Sequence, residues 1–159
     1  PGAAQVMRFS SRGDLHSEKN ASPDEPMRFI QFWILPSVPG LETRVQQRQY
    51  AIEDRTDRWL EIMGPAGTDG LELAQDARAL VAHLTDRGRL EHTFGPGRGG
   101  YLYVIDGRVE VDGDALRTGD AIKVAGATDL TFQTDVAAEL ILVDVPLGFE
   151  AVGVWAGER

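Results

Sequence analysis

His16-Ser17-Glu18 is the first place along this sequence where side-chain types and spacing suit chemistry. In an extended segment, residues two apart project to the same side, so the imidazole of His16 and the carboxylate of Glu18 can approach a single ion. A non-haem iron site commonly takes at least two histidines and a carboxylate, and no third candidate lies nearby in sequence. The chain has no cysteine. That removes disulfides, thiolate zinc sites and cysteine nucleophiles together, and agrees with a reducing, cytoplasmic setting. Any metal would have to rest on His and carboxylate. The other two histidines read as non-ligands: His83, inside an apolar run, as a partly buried or solvent-edge residue, and His92, after Glu91, as a surface histidine.

Other groups have a chemical look with a simpler explanation. Residues 95–100, Gly-Pro-Gly-Arg-Gly-Gly, have the composition of a phosphate-cradling loop. Such a loop ends in Lys-Ser/Thr at a helix N-terminus, whereas this one feeds the strand-like Tyr101-Leu102-Tyr103-Val104, so it reads as a flexible turn. Arg98 and Tyr101 beside it can meet a small anion or a planar ligand, though neither residue type needs a function there. Asp112 and Asp114 read as solvated loop charges rather than a general acid and base. Asn20-Ala21-Ser22 is formally a glycosylation sequon, but Pro23 follows and no signal peptide precedes, so it carries no weight.

The elements that must position these residues are mainly strands. Residues 27–35, Met-Arg-Phe-Ile-Gln-Phe-Trp-Ile-Leu, form the most hydrophobic run and predict a strand buried on both faces, bounded by Pro26 and Pro36. Pro36-Ser37-Val38-Pro39-Gly40 is a stiff connector. Residues 10–26 read as polar loop around a short strand, and residues 59–63 as a short apolar strand. Residues 71–84 are ambiguous, since Ala77, Leu80, Val81 and Leu84 fit a helical stripe while Leu71 and Leu73 alternate. Beyond Gly99 the alternation is cleaner. The Asp106-Gly107 and Asp112-Gly113 pairs predict two successive tight hairpins, and residues 121–124, 130–134 and 139–146 follow as further short strands. This spacing predicts an all-β barrel or sandwich.

With 159 residues, a single compact domain is expected. The net charge of −9 is unevenly spread: residues 1–60 hold eight basic and eight acidic side chains, and residues 61–159 hold eight basic against seventeen acidic. An acidic surface repels phosphate backbones, so direct nucleic-acid binding is not expected. No apolar stretch reaches the ~20 residues a membrane helix needs, so no membrane association is expected either.

The meander from Tyr101 to Ile122 resembles the core of a cupin barrel, a double-stranded β-helix or jelly roll. The order of landmarks upstream is sharper: Gln5-Val6-Met7, His16-Ser17-Glu18, Asn20, the Ile30-to-Pro36 run, Tyr50, Asp69-Gly70, Gln75-Asp76-Ala77 and finally Leu142-Val143-Asp144-Val145-Pro146. On these residues the chain resembles the pirin family of two-cupin, quercetinase-like proteins. The resemblance implies an all-β cupin barrel with extra N-terminal strands and with residues 71–84 extended, residues 1–36 being the end of an N-terminal cupin with its connecting strand, 37–147 the C-terminal cupin and 148–159 a tail. It implies His16 and Glu18 as the last two of four metal ligands in that N-terminal cupin. The other two, a His-x-His pair, have no counterpart in the chain, so iron, nickel or copper is expected to be held weakly or not at all. It also implies a metal-free C-terminal barrel, since residues 94–100 offer Gly, Pro, Arg and aromatics where a cupin carries ligands.

Two functions follow from the resemblance. The first is a metal-dependent quercetin 2,3-dioxygenase-type oxidoreductase, if a further segment or a partner chain completes the site. The second, favoured for this chain, is a metal-poor binding or interaction module. For the second, the acidic 61–159 region suits a basic protein partner. Residues 5–9 and 27–35, as strands lacking partners, predict a homo-oligomer in which another chain covers them.

Overall fold

Strand β11 (Ala138–Pro146) is the most buried element, because it carries apolar side chains toward both of its faces. Leu140 and Leu142 point into one core and Ile141 and Val143 to the opposite face. Such a strand needs cover on both sides, and the rest of the chain supplies it. The computed structural model describes residues 2–10, 15–126 and 129–152. In chain order the other strands are β1 (Ala3–Arg8), β2 (Arg44–Gln49), β3 (Leu60–Gly64), β4 (Leu71–Glu72), β5 (Arg78–Leu84), β6 (Arg89–Thr93), β7 (Arg98–Val111), β8 (Asp114–Arg117), β9 (Ala121–Ala125) and β10 (Asp129–Gln133). A single 3-10 turn, Glu53–Arg55, is the only helical element among the described residues.

The main sheet runs β4-β3-β5-β11-β7-β10-β6, with β8 and β9 also pairing on β7, and it curls around an apolar interior. Phe132, Leu84, Leu102, Leu140, Leu142, Val104 and Val109 are the largest side chains wholly enclosed there. β7 is long enough to serve both walls. Its first half pairs with β9 and β11, its second half with β8 and β10. The corner falls at Asp106-Gly107, next to Ile105, which the β7–β11 register skips. Gly107 has φ +84°, and a Cβ there would run into the Ala137 carbonyl, so the bend requires glycine. The Asp106-Gly107 hairpin expected from sequence is therefore a bulge inside a continuous strand. The second pair does turn: Asp112 (φ 49°) and Gly113 (φ 96°) link β7 to β8 with both residues left-handed, the geometry that a two-residue hairpin prefers.

Residues 71–84 are extended despite their helix-favouring composition, splitting into β4, a break and β5. β5 sends Ala82 and Leu84 into the barrel and Ala79 to the outside, so burial on both faces overrides a weak helical preference. A second core lies outside the barrel wall. There Ala4 and Val6 of β1 meet Ile62, Leu71, Leu73, Ala77 and Ala79, with Ile34 at the edge. β1 pairs antiparallel with β2 from Ala3↔Gln49 to Arg8↔Arg44, so the expectation that residues 5–9 lack a partner is overturned. Gln46 fastens this ribbon to β4, its amide donating to the Glu72 carbonyl at 2.9 Å and accepting from the Glu72 N–H at 3.2 Å. The phenol of Tyr50, buried, donates to the Ile62 carbonyl at 2.9 Å.

The predicted strand at residues 27–35 does not form. Its backbone pairs with no strand among the described residues, and Met27, Phe29, Ile30 and Trp33 are exposed, Trp33 by 77%. A strand exists only through its neighbour, and β1 has taken β2 instead. Isolated hydrogen bonds hold its C-terminal end: Gln75 donates to the Leu35 carbonyl at 2.9 Å, and in the following connector the Ser37 N–H donates to the Ala74 carbonyl at 2.8 Å. Residues 10 and 15–26 are irregular, without the short strand expected there, and residues 11–14 lie outside the described residues. No helix is long and apolar enough to cross a membrane among the described residues.

Candidate functional site

The pair singled out first does meet. His16 Nε2 lies 3.1 Å from Glu18 Oε1, the imidazole stacks on Phe9 with ring centroids 5.0 Å apart, and the same Glu18 oxygen accepts from Gln31 at 3.0 Å. The two groups meet within an irregular stretch of chain. Both side chains are partly exposed, and no cluster of three or more His, Asp or Glu that could hold an ion occurs among the described residues. Two ligands leave most of a coordination sphere unfilled, so these residues alone do not fit a resident iron or nickel.

A second constellation, which the sequence reading missed, sits at the mouth of the barrel. Asp144 lies within β11, in the run Leu-Ile-Leu-Val-Asp-Val-Pro, and is only 4% exposed. A carboxylate buried so deeply demands partners. It has two: Arg98 Nε donates to Oδ1 at 2.6 Å, and His92 Nε2 lies 3.1 Å from Oδ2. Arg98, at the start of β7 beside the glycine turn, also donates to the Asp76 carboxylate at 2.7 Å and to the carbonyls of Asp76 and Asp144. His92, read from sequence as a surface residue, is instead about 10% exposed and wedged edge-on against Phe94 (4.5 Å) and Trp59 (6.3 Å). The correction follows from pairing that sequence proximity cannot show, since β6 brings His92 to a carboxylate 52 positions away. The signal that was available is Asp144 itself, a charge in the middle of an apolar strand. Beneath this network the indole N–H of Trp59 is buried without a hydrogen-bond partner.

Burial alone would raise the Asp144 pKa. Hydrogen bonds from His92 and Arg98, and the charge of Arg98, outweigh it and hold the carboxyl below the ordinary value of 3.8. Arg98 is likewise driven upward by Asp144 and Asp76 against its own burial. A carboxyl with a depressed folded pKa contributes stability that is complete above its unfolded pKa and is lost as pH falls through the folded value. Urea unfolding at neutral pH and at about pH 3 should therefore show wild type losing more stability on acidification than Asp144→Asn, in which that site no longer titrates. Equal losses in the two proteins would contradict this assignment.

The remaining predicted residues are distributed elsewhere. Arg98 and Tyr101 do not act together: Arg98 is turned to the barrel mouth, while Tyr101 lies on the outer wall, where it and Tyr103 face Phe29, Ile30, Gln31 and Phe32 across an open groove of about 420 Å³. His83 is half-buried, its Nδ1 2.8 Å from Glu139 Oε1, with Arg55 bound to the same carboxylate. Asp112 caps a turn, accepting from the Thr131 N–H at 2.9 Å. The cavity at the barrel mouth, about 270 Å³, is lined by Arg78, Leu80, His92, Thr93, Arg98 and Asp144, with Gly95 at its rim.

A curled antiparallel barrel with a long corner-turning strand and its polar cluster at one open end defines a cupin. The sequence profile of the quercetinase C-terminal cupin domain matches residues 61–145. The chain belongs to the pirin family of quercetinase-like cupins. It is 32% identical over 145 residues to a pirin-like protein of Caulobacter vibrioides and 27% identical over 146 residues to the quercetin 2,3-dioxygenase of Escherichia coli K12. These alignments take in 90% and 91% of this chain and 62% of either relative, so the chain spans less than two thirds of their length. In fold it is similar to YhhW from Escherichia coli, with a TM-score of 0.67 at 23% identity over 74% of this chain and 50% of that one. YhhW, a bacterial pirin, has also been solved in complex with nickel(II).

Proposed function

We propose that this chain is a metal-poor binding module of the pirin type, acting in the cytoplasm. One observation carries the reading: where the cupin barrel opens, the polar groups are not an open ligand set but an ion-pair network, with both oxygens of Asp144 committed to Arg98 and His92. Such a mouth recognises a ligand by hydrogen bonds and charge. The exposed aromatic segment at residues 27–35 and the acidic excess of residues 61–159 support a second surface, for self-association or a basic protein partner.

A second reading is quercetin 2,3-dioxygenase-type chemistry, favoured by the approach of His16 to Glu18 and by the relatives that carry that name. It requires two further ligands from another segment or a second chain. Oxygen-dependent consumption of quercetin by the purified 159-residue chain, supplied with iron(II), nickel(II) or copper(II), separates the two. No turnover above the metal-only control is expected. Turnover that disappears in His16→Ala would replace the binding reading with the catalytic one.

A further inference from the structure

We propose that the barrel-mouth cavity binds a small hydroxylated monocarboxylic acid, with its carboxylate on Arg78 and a hydroxyl on His92, which names a ligand class for the binding module described above. The assignment comes from asking which lining groups still have hydrogen bonds to give. Asp144 has both oxygens engaged, and Arg98 uses Nε, Nη1 and Nη2 on Asp144 and Asp76. These two residues are therefore wall and support, not the groups that read a ligand. Arg78 differs. Its side chain is about half exposed, and its one bond is from Nη1 to Glu61 at 3.0 Å, so most of its guanidinium donors are left unused.

His92 supplies the second contact. An ionised carboxylate only accepts, so Nε2 carries the proton that is donated to Asp144, and Nδ1 is left for a ligand. A hydroxyl, which can both donate and accept, suits that nitrogen. Leu80 provides an apolar patch between these polar points. One cationic fork, one ring nitrogen and a short apolar surface match a carboxylate with a neighbouring hydroxyl on a short carbon body.

Size and charge narrow the class further. About 270 Å³ lies below the ~300 Å³ at which pockets for drug-sized ligands begin, so the ligand is small. Arg98 is already committed, so a second carboxylate would have no cation, and a chain of net charge −9 repels polyanions.

The test uses D-glycerate, which has one carboxylate and two hydroxyls, beside propionate, which lacks the hydroxyls, and glycerol, which lacks the carboxylate. Nitrogen-15 NMR of the full chain would follow the His92 ring and the amides of Arg78, Leu80 and Thr93 during titration, with circular dichroism confirming that each variant is folded. Saturable shifts with D-glycerate are expected, at least tenfold weaker with propionate and with glycerol. Arg78→Gln should weaken D-glycerate binding at least tenfold, since it removes a charge-assisted pair, while leaving glycerol unchanged. No shift with D-glycerate would overturn the proposal. Glycerol binding as tightly, or Arg78→Gln without effect, would overturn the acid class while leaving the barrel mouth a binding site. Quercetin turnover, measured separately, bears on the binding-module reading alone.

Discussion

Asp144→Ala is expected to lower the unfolding free energy by about 3–5 kcal/mol, measured by urea denaturation at neutral pH. Asp144 is 4% exposed, and its partners are themselves enclosed, with Arg98 and His92 side chains 16% and 10% exposed. Removing the carboxylate leaves the Arg98 guanidinium with one charged partner, Asp76, whose side chain is 61% exposed, beside backbone carbonyls, and leaves His92 without its acceptor. The loss reflects an uncompensated buried charge more than the worth of the pair. The double variant Asp144→Leu/Arg98→Met, which removes both charges, should therefore cost less than Asp144→Ala alone. If the double variant were as destabilised as the sum of its singles, the network would not be coupled and this account of the barrel mouth would fail.

Phe132→Ala is expected to cost a similar amount, about 3–5 kcal/mol, for a different reason. Phe132 is wholly enclosed on β10, opposite Leu90 of β6 and Val111 of β7, and it meets the Trp59 ring edge-on at 5.3 Å. The walls of the curled sheet are held in place by their hydrogen-bond ladders and can collapse little into a void, so lost contacts and cavity add. Two-state domains hold only about 5–15 kcal/mol in all, so either variant removes a large share. The two losses should respond differently to pH, since only that of Asp144→Ala shrinks as acid protonates the wild-type carboxyl. A Phe132→Ala loss below about 1 kcal/mol would mean that the barrel interior is not packed as described.

Much of the barrel was legible because its signals are local. Asp112-Gly113 turns the chain, and residues 139–146 alternate or run apolar as a doubly covered strand must. Residues 71–84 were legible only with the family resemblance, because their composition favours helix while burial on both faces decides the outcome. The misses share one cause. Whether residues 27–35 become a strand depends on a neighbour, and whether Asp106-Gly107 turns or bulges depends on how far β7 stays paired with β11. The burial of His92 depends on Asp144 in a strand 52 positions further on. Pairings at that distance leave no local periodicity. His16 and Glu18 were found because they are two residues apart, and the barrel-mouth network was missed because its members are not.

We propose that this chain is a metal-poor binding module, and its metal content after dialysis tests that proposal most directly. His16 and Glu18 make two contacts, and since disturbing even an outer-shell partner commonly costs ~10–100-fold in affinity, a site without two of its direct ligands should retain little. Elemental analysis of the purified chain, loaded with iron(II), nickel(II) or copper(II) and then dialysed, should find far less than one metal per chain, unchanged in His16→Ala. One tightly held metal per chain, or one per two chains that is lost in His16→Ala, would contradict it.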